Sequence, residues 1–335
     1  MKKTLVVLIA ISGMAHADWY TGNDANLYEV TGNTEKVTTL GDAQDVTSDY
    51  QLKAKALDGT NQDRSAVIGE YVLRSGKTVK LMDRWQSDST NIDLTISKLT
   101  MGEDGSGSGS VKVENAQKLT LAAVSGTLTT MELQNGATLT LTGALSMGTL
   151  KTSVNSDKSE TSALLNFGTS GSINTGANQM SINIAEGASL TLSAIMSDSD
   201  LAKLAAGTDV ERTLITTDKM NGISLSNLSS NLTLSLSGSE LLSGGVVYSV
   251  TKDGETKYFN VADVQHAAGG WATVDESKAI TLSAGTSYIV VGGLAYKDAS
   301  IKTVSYLATA PIPEPTTATL SLLALAGLAA RRRRK

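Results

Sequence analysis

The chain has 335 residues, no cysteine and a formal net charge of −5 at pH 7. Without cysteine it forms neither disulfides nor thiolate metal sites, so its stability must come from apolar burial and backbone hydrogen bonds. Once Lys2, Lys3, the five cations of residues 331–335 and Glu314 are set aside, 21 cations and 32 anions remain, and the body carries −11. This charge argues against electrostatic binding of nucleic acid.

The first seventeen residues have the three parts of a secretory signal peptide. Lys2 and Lys3 precede an apolar run at residues 5–11, and Ala15 and Ala17 flank His16 in a small-x-small cleavage site. The apolar run is too short to span a bilayer. We therefore expect signal peptidase to cleave this segment, so that the mature chain begins at Asp18.

Residues 18–75 form a predicted N-terminal β region. Residues 51–57 alternate apolar and polar side chains before a turn at Asp58-Gly59, and residues 67–73 have a similar pattern. Alternation of this kind indicates strands that face a core on one side.

Apolar pairs then recur from residue 76 to residue 243. The pairs are one β-step wide and follow one another at twenty residues: Val79 and Leu81, Leu99 and Met101, Leu119 and Leu121, Leu139 and Leu141. Residues 187–192, 231–236 and 279–283 repeat the pattern at other spacings. Repeats of this length predict a parallel β-helix or related solenoid, in which stacking buries a continuous ladder. A β-sandwich is the alternative, since Leu-Thr-Leu is a good strand in either fold.

Two segments interrupt this pattern. Residues 102–110 are rich in Gly and Ser, which predicts a flexible loop outside the ladder. Glu103 and Asp104 in that loop match neither the spacing of an EF-hand loop nor that of the glycine-rich nonapeptide roll, and a solvated loop is the favoured interpretation. Residues 198–207 have acidic and Ser caps, helical Leu spacing and a closing Gly, and predict a short helix.

A small antiparallel β module is predicted from residue 244 to residue 308. Residues 246–250 and 257–261 are apolar runs on either side of Asp253-Gly254, a turn sequence typical of a β-hairpin. Further strands are predicted at residues 288–291 and 301–306. We expect this module to close the end of the solenoid, where exposed strand edges invite pairing.

The C-terminal segment, residues 309–335, combines three signals. Prolines alternate at Pro311, Pro313 and Pro315, residues 316–330 carry no charge, and Arg331, Arg332, Arg333, Arg334 and Lys335 follow. A fifteen-residue helix rises about 23 Å, and thinning of the bilayer with snorkelling arginines would allow it to span. We therefore predict a transmembrane helix with its basic end in the cytoplasm. The alternative is an amphipathic helix whose basic tail binds nucleic acid or an anionic surface.

These residues resemble the PEP-CTERM sorting domain. The resemblance rests on Pro313-Glu314-Pro315, the Ala/Leu/Gly-rich span and the terminal arginines, and it covers residues 311–335. It implies a bacterial exported protein that an exosortase-type membrane protease reads and cuts near the triplet. The protein would then reside in the inner membrane at least transiently, with its body in the periplasm, the outer envelope or the extracellular matrix. The repeats also resemble generic coils of autotransporter-type passenger proteins, a likeness that locates no function.

Signals for catalysis are weak, and we predict no enzyme, no cofactor and no metal. After removal of the signal peptide His266 is the only histidine, which leaves one candidate base. A glycan-degrading face would use the acidic and basic residues around Trp85, namely Asp83, Arg84, Asp88 and Asp93. Trp85, Trp271 and Tyr258 are candidate contacts for a glycan. The favoured prediction is an envelope or matrix structural protein, ahead of an adhesin or glycan-binding protein and of a polysaccharide-degrading enzyme.

Overall fold

The fold consists of short strands that build three larger sheets. The computed structural model describes residues 19–21, 24–26, 36–39, 50–53, 64–82, 91–154, 162–219, 223–226, 232–238, 241–267, 271–295 and 301–311. The strands of the first part are β1 (Trp19–Thr21), β2 (Asp24–Asn26), β3 (Lys36–Thr39), β4 (Tyr50–Lys53), β5 (Arg64–Leu73), β6 (Lys77–Leu81), β7 (Ile92–Met101), β8 (Ser108–Val113), β9 (Lys118–Leu121), β10 (Val124–Ser125), β11 (Thr127–Gln134), β12 (Thr138–Leu141), β13 (Ala144–Leu145) and β14 (Met147–Ser153).

The remaining elements follow in the same chain order. They are β15 (Ala163–Asn166), β16 (Ser172–Asn174), β17 (Met180–Ile184), β18 (Leu190–Ile195), α1 (Asp198–Ala205), β19 (Val210–Thr216), β20 (Ile223–Ser226), β21 (Leu232–Ser237), β22 (Leu242–Lys252), β23 (Glu255–Asn260), β24 (Val264–Ala267), β25 (Trp271–Val274), β26 (Thr286–Ala295) and β27 (Thr303–Ala308). The all-β prediction is confirmed.

The first two sheets are parallel throughout. The first has the order β1-β3-β5-β7-β9-β12-β15-β18-β21, with β10 also paired to β7, and the second has the order β2-β4-β6-β8-β11-β14-β17-β20. The chain therefore passes from one sheet to the other before it returns one strand further along. Parallel pairing requires such crossings, because a tight hairpin makes neighbouring strands antiparallel.

The third sheet joins the body to the C-terminal module. Its order is β13-β16-β19-β27-β26-β22-β23. β27 runs antiparallel to both of its neighbours, but β22 pairs with β26 in parallel. The purely antiparallel cap predicted for residues 244–308 is therefore wrong. The connection between β22 and β26 holds β23, β24 and β25, and this length of chain lets the two strands run the same way.

The strand register departs from a constant twenty-residue step. Leu139 lies opposite Leu119, as the repeat predicts, but the partner of Leu119 on its other side is Leu94 and not Leu99. Val79 belongs to the second sheet, where it faces Val111. The step holds from β9 to β12 and fails before them, because the crossings between strands differ in length.

Inward-facing residues of the first sheet form a continuous apolar column. Side chains that are 0–2% exposed face one another on successive strands: Leu94, Leu119, Leu139, Leu165 and Leu192. Each buried leucine contributes about 1.5–3 kcal/mol of apolar burial. The sequence has only two phenylalanines, so aliphatic side chains must supply most of the core, and this column shows how leucines do so.

The Gly- and Ser-rich stretch is only partly the loop that was predicted. Residues 102–107 form turns, whereas Ser108, Gly109 and Ser110 lie in β8 and pair on both sides. A Cβ at Gly109 would stand 2.7 Å from the Met101 sulfur and 2.9 Å from Leu73 Cδ2. Glycine is needed here because a larger residue would not fit inside the ladder. Composition alone does not distinguish a glycine needed for packing from one in a flexible loop.

Two local predictions are confirmed. The helix α1 follows Ser197, whose side chain accepts a hydrogen bond from the Asp200 backbone N–H. β22 and β23 form the predicted hairpin, with Lys252 opposite Glu255. Asp253 and Gly254 between them have φ of 52° and 82°, the left-handed pair that a two-residue hairpin turn requires.

None of the helices in the described part of the chain is long and apolar enough to cross a membrane. The predicted span at residues 316–330 lies outside the described residues and stays a prediction. The signal peptide also lies outside the described residues. The domain boundaries after residues 17, 75, 243 and 308 stay predictions.

The outer face of the second sheet holds a cross-strand charge cluster. Glu132 on β11 lies 3.2 Å from Lys112 Nζ and 2.7 Å from Lys151 Nζ, and it accepts a hydrogen bond from Ser153 Oγ at 2.9 Å. Burial raises the pKa of this carboxyl, but the hydrogen bonds from Lys151, Ser153 and Lys112 outweigh it and lower the pKa from 4.5 to about 2. The ionised form of Glu132 therefore stabilises the fold.

Replacement of Glu132 by glutamine should lower the free energy of unfolding at pH 7 by up to about 3 kcal/mol, at 1.36 kcal/mol per pKa unit. Because the pKa is depressed in the folded state, this stability is complete above pH 4.5 and is lost as the pH falls towards 2. Urea unfolding at pH 7 and pH 3 checks this, with the exposed Glu186→Gln as control. A difference from wild type that does not shrink at pH 3 would contradict the assignment.

Candidate functional site

An open groove lies on the outer face of the third sheet. It encloses about 470 Å³ and is lined by Asp209, Thr256, Tyr258, residues 279–282, Leu307 and Ala310. We call it the exit groove, because Ala310 is followed at once by Pro311 and the C-terminal segment. Its apolar floor belongs to a cluster in which Tyr258, Ile280 and Leu282 pack against buried residues of the sheet, Val247, Tyr288, Val290 and Leu307.

Tyr258 is the aromatic side chain of this groove. Its backbone carbonyl accepts a hydrogen bond from the Ile280 N–H at 2.8 Å, which fixes residues 279–282 beside β23. Burial raises the pKa of the Tyr258 hydroxyl, and the carboxylates of Glu211 and Asp209 raise it further. The phenol therefore stays protonated at neutral pH, so it offers a hydrogen bond and an apolar ring instead of a nucleophile.

The backbone that leaves the body is held by four groups, which we call the exit clasp: Asp209, Ser283, Thr286 and Thr309. The Ala310 N–H donates to Asp209 Oδ1 at 2.7 Å, and Thr309 Oγ1 donates to the Ser283 carbonyl at 2.7 Å. The Thr309 backbone N–H donates to the Thr286 carbonyl at 2.9 Å. In return, the Thr286 backbone N–H donates to Thr309 Oγ1 at 3.0 Å. The chain is thus fixed up to residue 310.

Charged side chains lie at one side of the exit groove, where Glu255 and Lys257 belong to its lining. Glu276 pairs with Lys252 at 2.6 Å and with Lys257 at 3.5 Å. The hydrogen bond from Lys252 is the main reason that the pKa of the Glu276 carboxyl is lowered. The groups are solvent-exposed, so they keep the rim hydrated and contribute little to stability.

A second cavity of about 530 Å³ lies between Arg74, Ser75 and residues 102–104 with Ser106 and Gly107. Asp104 Oδ1 accepts hydrogen bonds from the N–H and hydroxyl of Ser106, at 2.9 and 2.7 Å, and these bonds lower the pKa of Asp104. The carboxylate of Asp104 thus stabilises its own turn. Within the described ranges no three His, Asp or Glu side chains are arranged to hold a metal ion.

The structure separates the remaining candidate residues. Asp93 is exposed on β7, where it lies opposite Ser65 and Lys118. His266 and Trp271 are on the paired strands β24 and β25, where His266 lies opposite Ala272. The structure does not describe the side chains of His266 and Trp271. Residues 83–90, which include Asp83, Arg84, Trp85 and Asp88, lie outside the described residues.

The terminal motifs lie beyond the described residues as well. These are the cleavage residues Ala15, Ala17 and Asp18, the triplet Pro313, Glu314 and Pro315, and the basic residues Arg331, Arg332, Arg333, Arg334 and Lys335. For the C-terminal motif, a comparison with protein families is informative. Residues 311–335 match the model of the PEP-CTERM protein-sorting motif. The chain therefore carries a PEP-CTERM sorting motif at its C-terminal end. No curated protein and no solved structure matches it.

The PEP-CTERM motif indicates an exported protein that is targeted to an exosortase, a membrane protease. The motif begins at Pro311, the residue directly after the exit clasp, so body and sorting segment meet at the exit groove. The motif and Tyr258 were predictable from the sequence, whereas Asp209 and Thr309 were not. Their role depends on contacts across 101 and 26 residues, which no local pattern displays.

Proposed function

We propose that this PEP-CTERM protein is a non-enzymatic component of the cell envelope or extracellular matrix, with a β-solenoid body that the sorting segment presents beyond the inner membrane. The observation that carries the proposal is the sorting motif at residues 311–335. Its expected partners are signal peptidase, an exosortase-type protease and, through the C-terminal helix, membrane lipid.

The pairing of the strands supports a solenoid over a β-sandwich. Sandwiches of the immunoglobulin type are antiparallel, whereas the first two sheets here contain parallel pairs alone among the described strands. Stacked layers with inward leucine columns suit a body in which each layer contacts only its neighbours. Such a body is stiff without disulfides, which suits a structural component of an envelope.

The character of the outer surface also favours a structural role. Outward residues of the first sheet are mostly hydroxyl-bearing and form a column across the strands: Thr95, Thr120, Thr140, Asn166 and Ser193. Glycoside hydrolysis needs two carboxyls about 5–10 Å apart across a substrate. Asp93, the candidate acid within the described part, lies opposite Lys118 instead. On this side Asp93 therefore has a cation, not a second acid, as its cross-strand neighbour.

Glycan binding is the second candidate function, and Trp85 and Trp271 remain its predicted contacts. The specific observation in its favour is that Trp271 lies on the two-stranded sheet β24-β25, separate from the three larger sheets. A glycan array with the full-length chain and its Trp271→Ala variant tests this. Equal signals from both proteins would remove Trp271 from the prediction.

The mass of the mature chain, isolated from the envelope of a host with an exosortase, tests the proposed sorting. We expect a chain that begins at Asp18 and lacks residues 331–335. Pro313→Ala with Pro315→Ala should leave an uncut precursor, whereas Pro311→Ala, outside the triplet, should be processed as wild type. An intact Lys335 in the wild-type chain would indicate simple anchoring, and Met1 on a cytosolic protein would overturn export.

A further inference from the structure

We propose that one end of the third sheet rests against the lipid headgroups of the inner membrane while the tail spans the bilayer. We call this surface the exit end, and it consists of residues 207–209, 241–245, 283–286 and 309–311. The inference rests on the proposed function, in which residues 316–330 cross the membrane, and it adds which surface of the body faces the lipid. Three observations carry it: a short spacer, a lack of charge and an exposed leucine.

The strand register places these four stretches of the chain side by side. Ala308, at the end of β27, lies opposite Val210 on β19 and opposite Ser287 on β26. Leu242, at the start of β22, lies opposite Thr286. The starts of β19, β22 and β26 therefore lie beside the point where the chain leaves the body.

The spacer between the body and the apolar run is too short to let the body stand far from the membrane. Asp209 holds the backbone at Ala310, and the uncharged run begins at Thr316. The five residues between them extend at most about 18 Å. The run rises about 23 Å against a hydrocarbon core of about 30 Å, so spanning draws the spacer into the headgroup layer. That layer is about 5–8 Å thick, which leaves the exit end at most about 13 Å from the headgroups.

The exit end carries almost no charge. Among its described residues Asp209 is the one charged side chain, and its Oδ1 accepts a hydrogen bond from the Ala310 N–H at 2.7 Å. The other residues of these stretches are Leu, Ser, Gly, Ala, Thr and Pro. The body as a whole is acidic, and anionic lipids repel acidic side chains. The exit end is therefore a surface that approaches such a membrane with little repulsion.

Leu242 is the apolar contact that this surface offers. Its side chain is 73% exposed, the largest value among the exposed large hydrophobic residues of the described chain. Its backbone is fixed, because its carbonyl accepts a hydrogen bond from Ser287 Oγ at 3.3 Å. Its strand partner Thr286 also bonds to Thr309, so Leu242 lies about 10 Å from the exit clasp. A lone exposed leucine needs no partner by itself, but beside a membrane-bound tail it fits the headgroup boundary.

Fluorescence quenching in vesicles tests the proposal. The full-length chain has no cysteine, so one introduced cysteine carries the fluorophore. Ala284→Cys reports on the exit end, since Ala284 is exposed and follows Ser283, whose carbonyl accepts the Thr309 hydroxyl. Thr251→Cys is the matched control, because Thr251 is exposed on β22 nine residues after Leu242, about 30 Å away. The vesicles contain phosphatidylethanolamine and phosphatidylglycerol, with or without a lipid that carries a nitroxide on its headgroup.

We expect the headgroup nitroxide to quench the label at Ala284→Cys at least threefold more than the label at Thr251→Cys. Equal quenching at the two positions would overturn the proposal, because the body would then lie flat or change its orientation freely. Stronger quenching at Thr251→Cys, or quenching at neither position, would overturn it as well.

A label inside the apolar run separates this inference from the proposed function. Ser321→Cys should be quenched by a nitroxide on the lipid acyl chains. If that label is quenched while the label at Ala284→Cys is not, the tail is inserted and only the contact of the exit end is wrong. If the label at Ser321→Cys is not quenched, the membrane span is wrong and this inference falls with it.

Substitution of Leu242 tests the apolar contact itself. In the chain labelled at Ala284→Cys, Leu242→Glu places a carboxylate against the headgroups, and we expect quenching to fall at least twofold. Leu242→Met keeps an apolar side chain and should leave quenching unchanged. Thr251→Glu adds the same charge at the far end of β22 and should also leave it unchanged. Equal losses from Leu242→Glu and Thr251→Glu would overturn the role of Leu242, because net charge alone would then set the distance.

Discussion

Replacement of Arg212 by methionine is expected to lower the free energy of unfolding by about 3–5 kcal/mol. The guanidinium donates to three backbone carbonyls of the turn between β15 and β16: Gly168 at 2.9 Å, Phe167 at 3.1 Å and Gly171 at 2.7 Å. Methionine keeps most of the apolar volume but leaves these half-buried carbonyls without their donors. Urea unfolding of the full-length protein measures the loss.

Two further substitutions separate the hydrogen bonds from the charge. Arg212→Lys keeps the cation but loses the planar fork, and we expect it to recover less than half of the stability. Lys219→Met removes a cation from the exposed chain after β19 and should change stability by less than about 0.5 kcal/mol. If Arg212→Lys were as stable as wild type, the charge alone would account for the effect.

Replacement of Leu139 by alanine should cost about 2–5 kcal/mol, because it removes buried methyl groups and leaves a cavity. Leu139 is 0% exposed and lies between Leu119 and Leu165 in the apolar column of the first sheet. In stacked layers each strand supports its neighbours, so the loss should also reduce the cooperativity of unfolding.

Thr140→Ala is the matched control on the opposite face of the same strand. Thr140 is only partly buried and points outward, between Thr120 and Asn166. We expect a loss below about 1 kcal/mol in urea unfolding followed by far-UV circular dichroism. Similar losses at both positions would mean that the column does not carry the stability of this sheet.

Local features of the fold were predictable because their causes are local. The Asp253-Gly254 turn depends on two residues that tolerate positive φ, and α1 depends on the Ser197 cap and the leucine spacing within one segment. The alternation of apolar and polar residues likewise identified the strands β9 and β12 and the faces that they bury.

Strand partners were not predictable in the same way. Leu119 faces Leu94 and not Leu99, because the length of the crossing sets the register. A leucine packs equally well against any leucine that the register brings opposite it. The parallel pairing of β22 with β26 and the bonds of Arg212 join residues more than forty positions apart. Of the candidate site, the sorting motif was predictable because it is contiguous in sequence. The exit groove was not, because four separate stretches of the chain line it.

The location of β27 determines how the body responds to mechanical load. In the proposed function, a tail held in the membrane would pass tension through the exit clasp to the end of this strand. β27 is bonded to β19 on one side and to β26 on the other, so it is an interior strand of its sheet. Pulling along it loads two hydrogen-bond ladders at once in shear. The point where the chain leaves the body is therefore suited to bear load along β27.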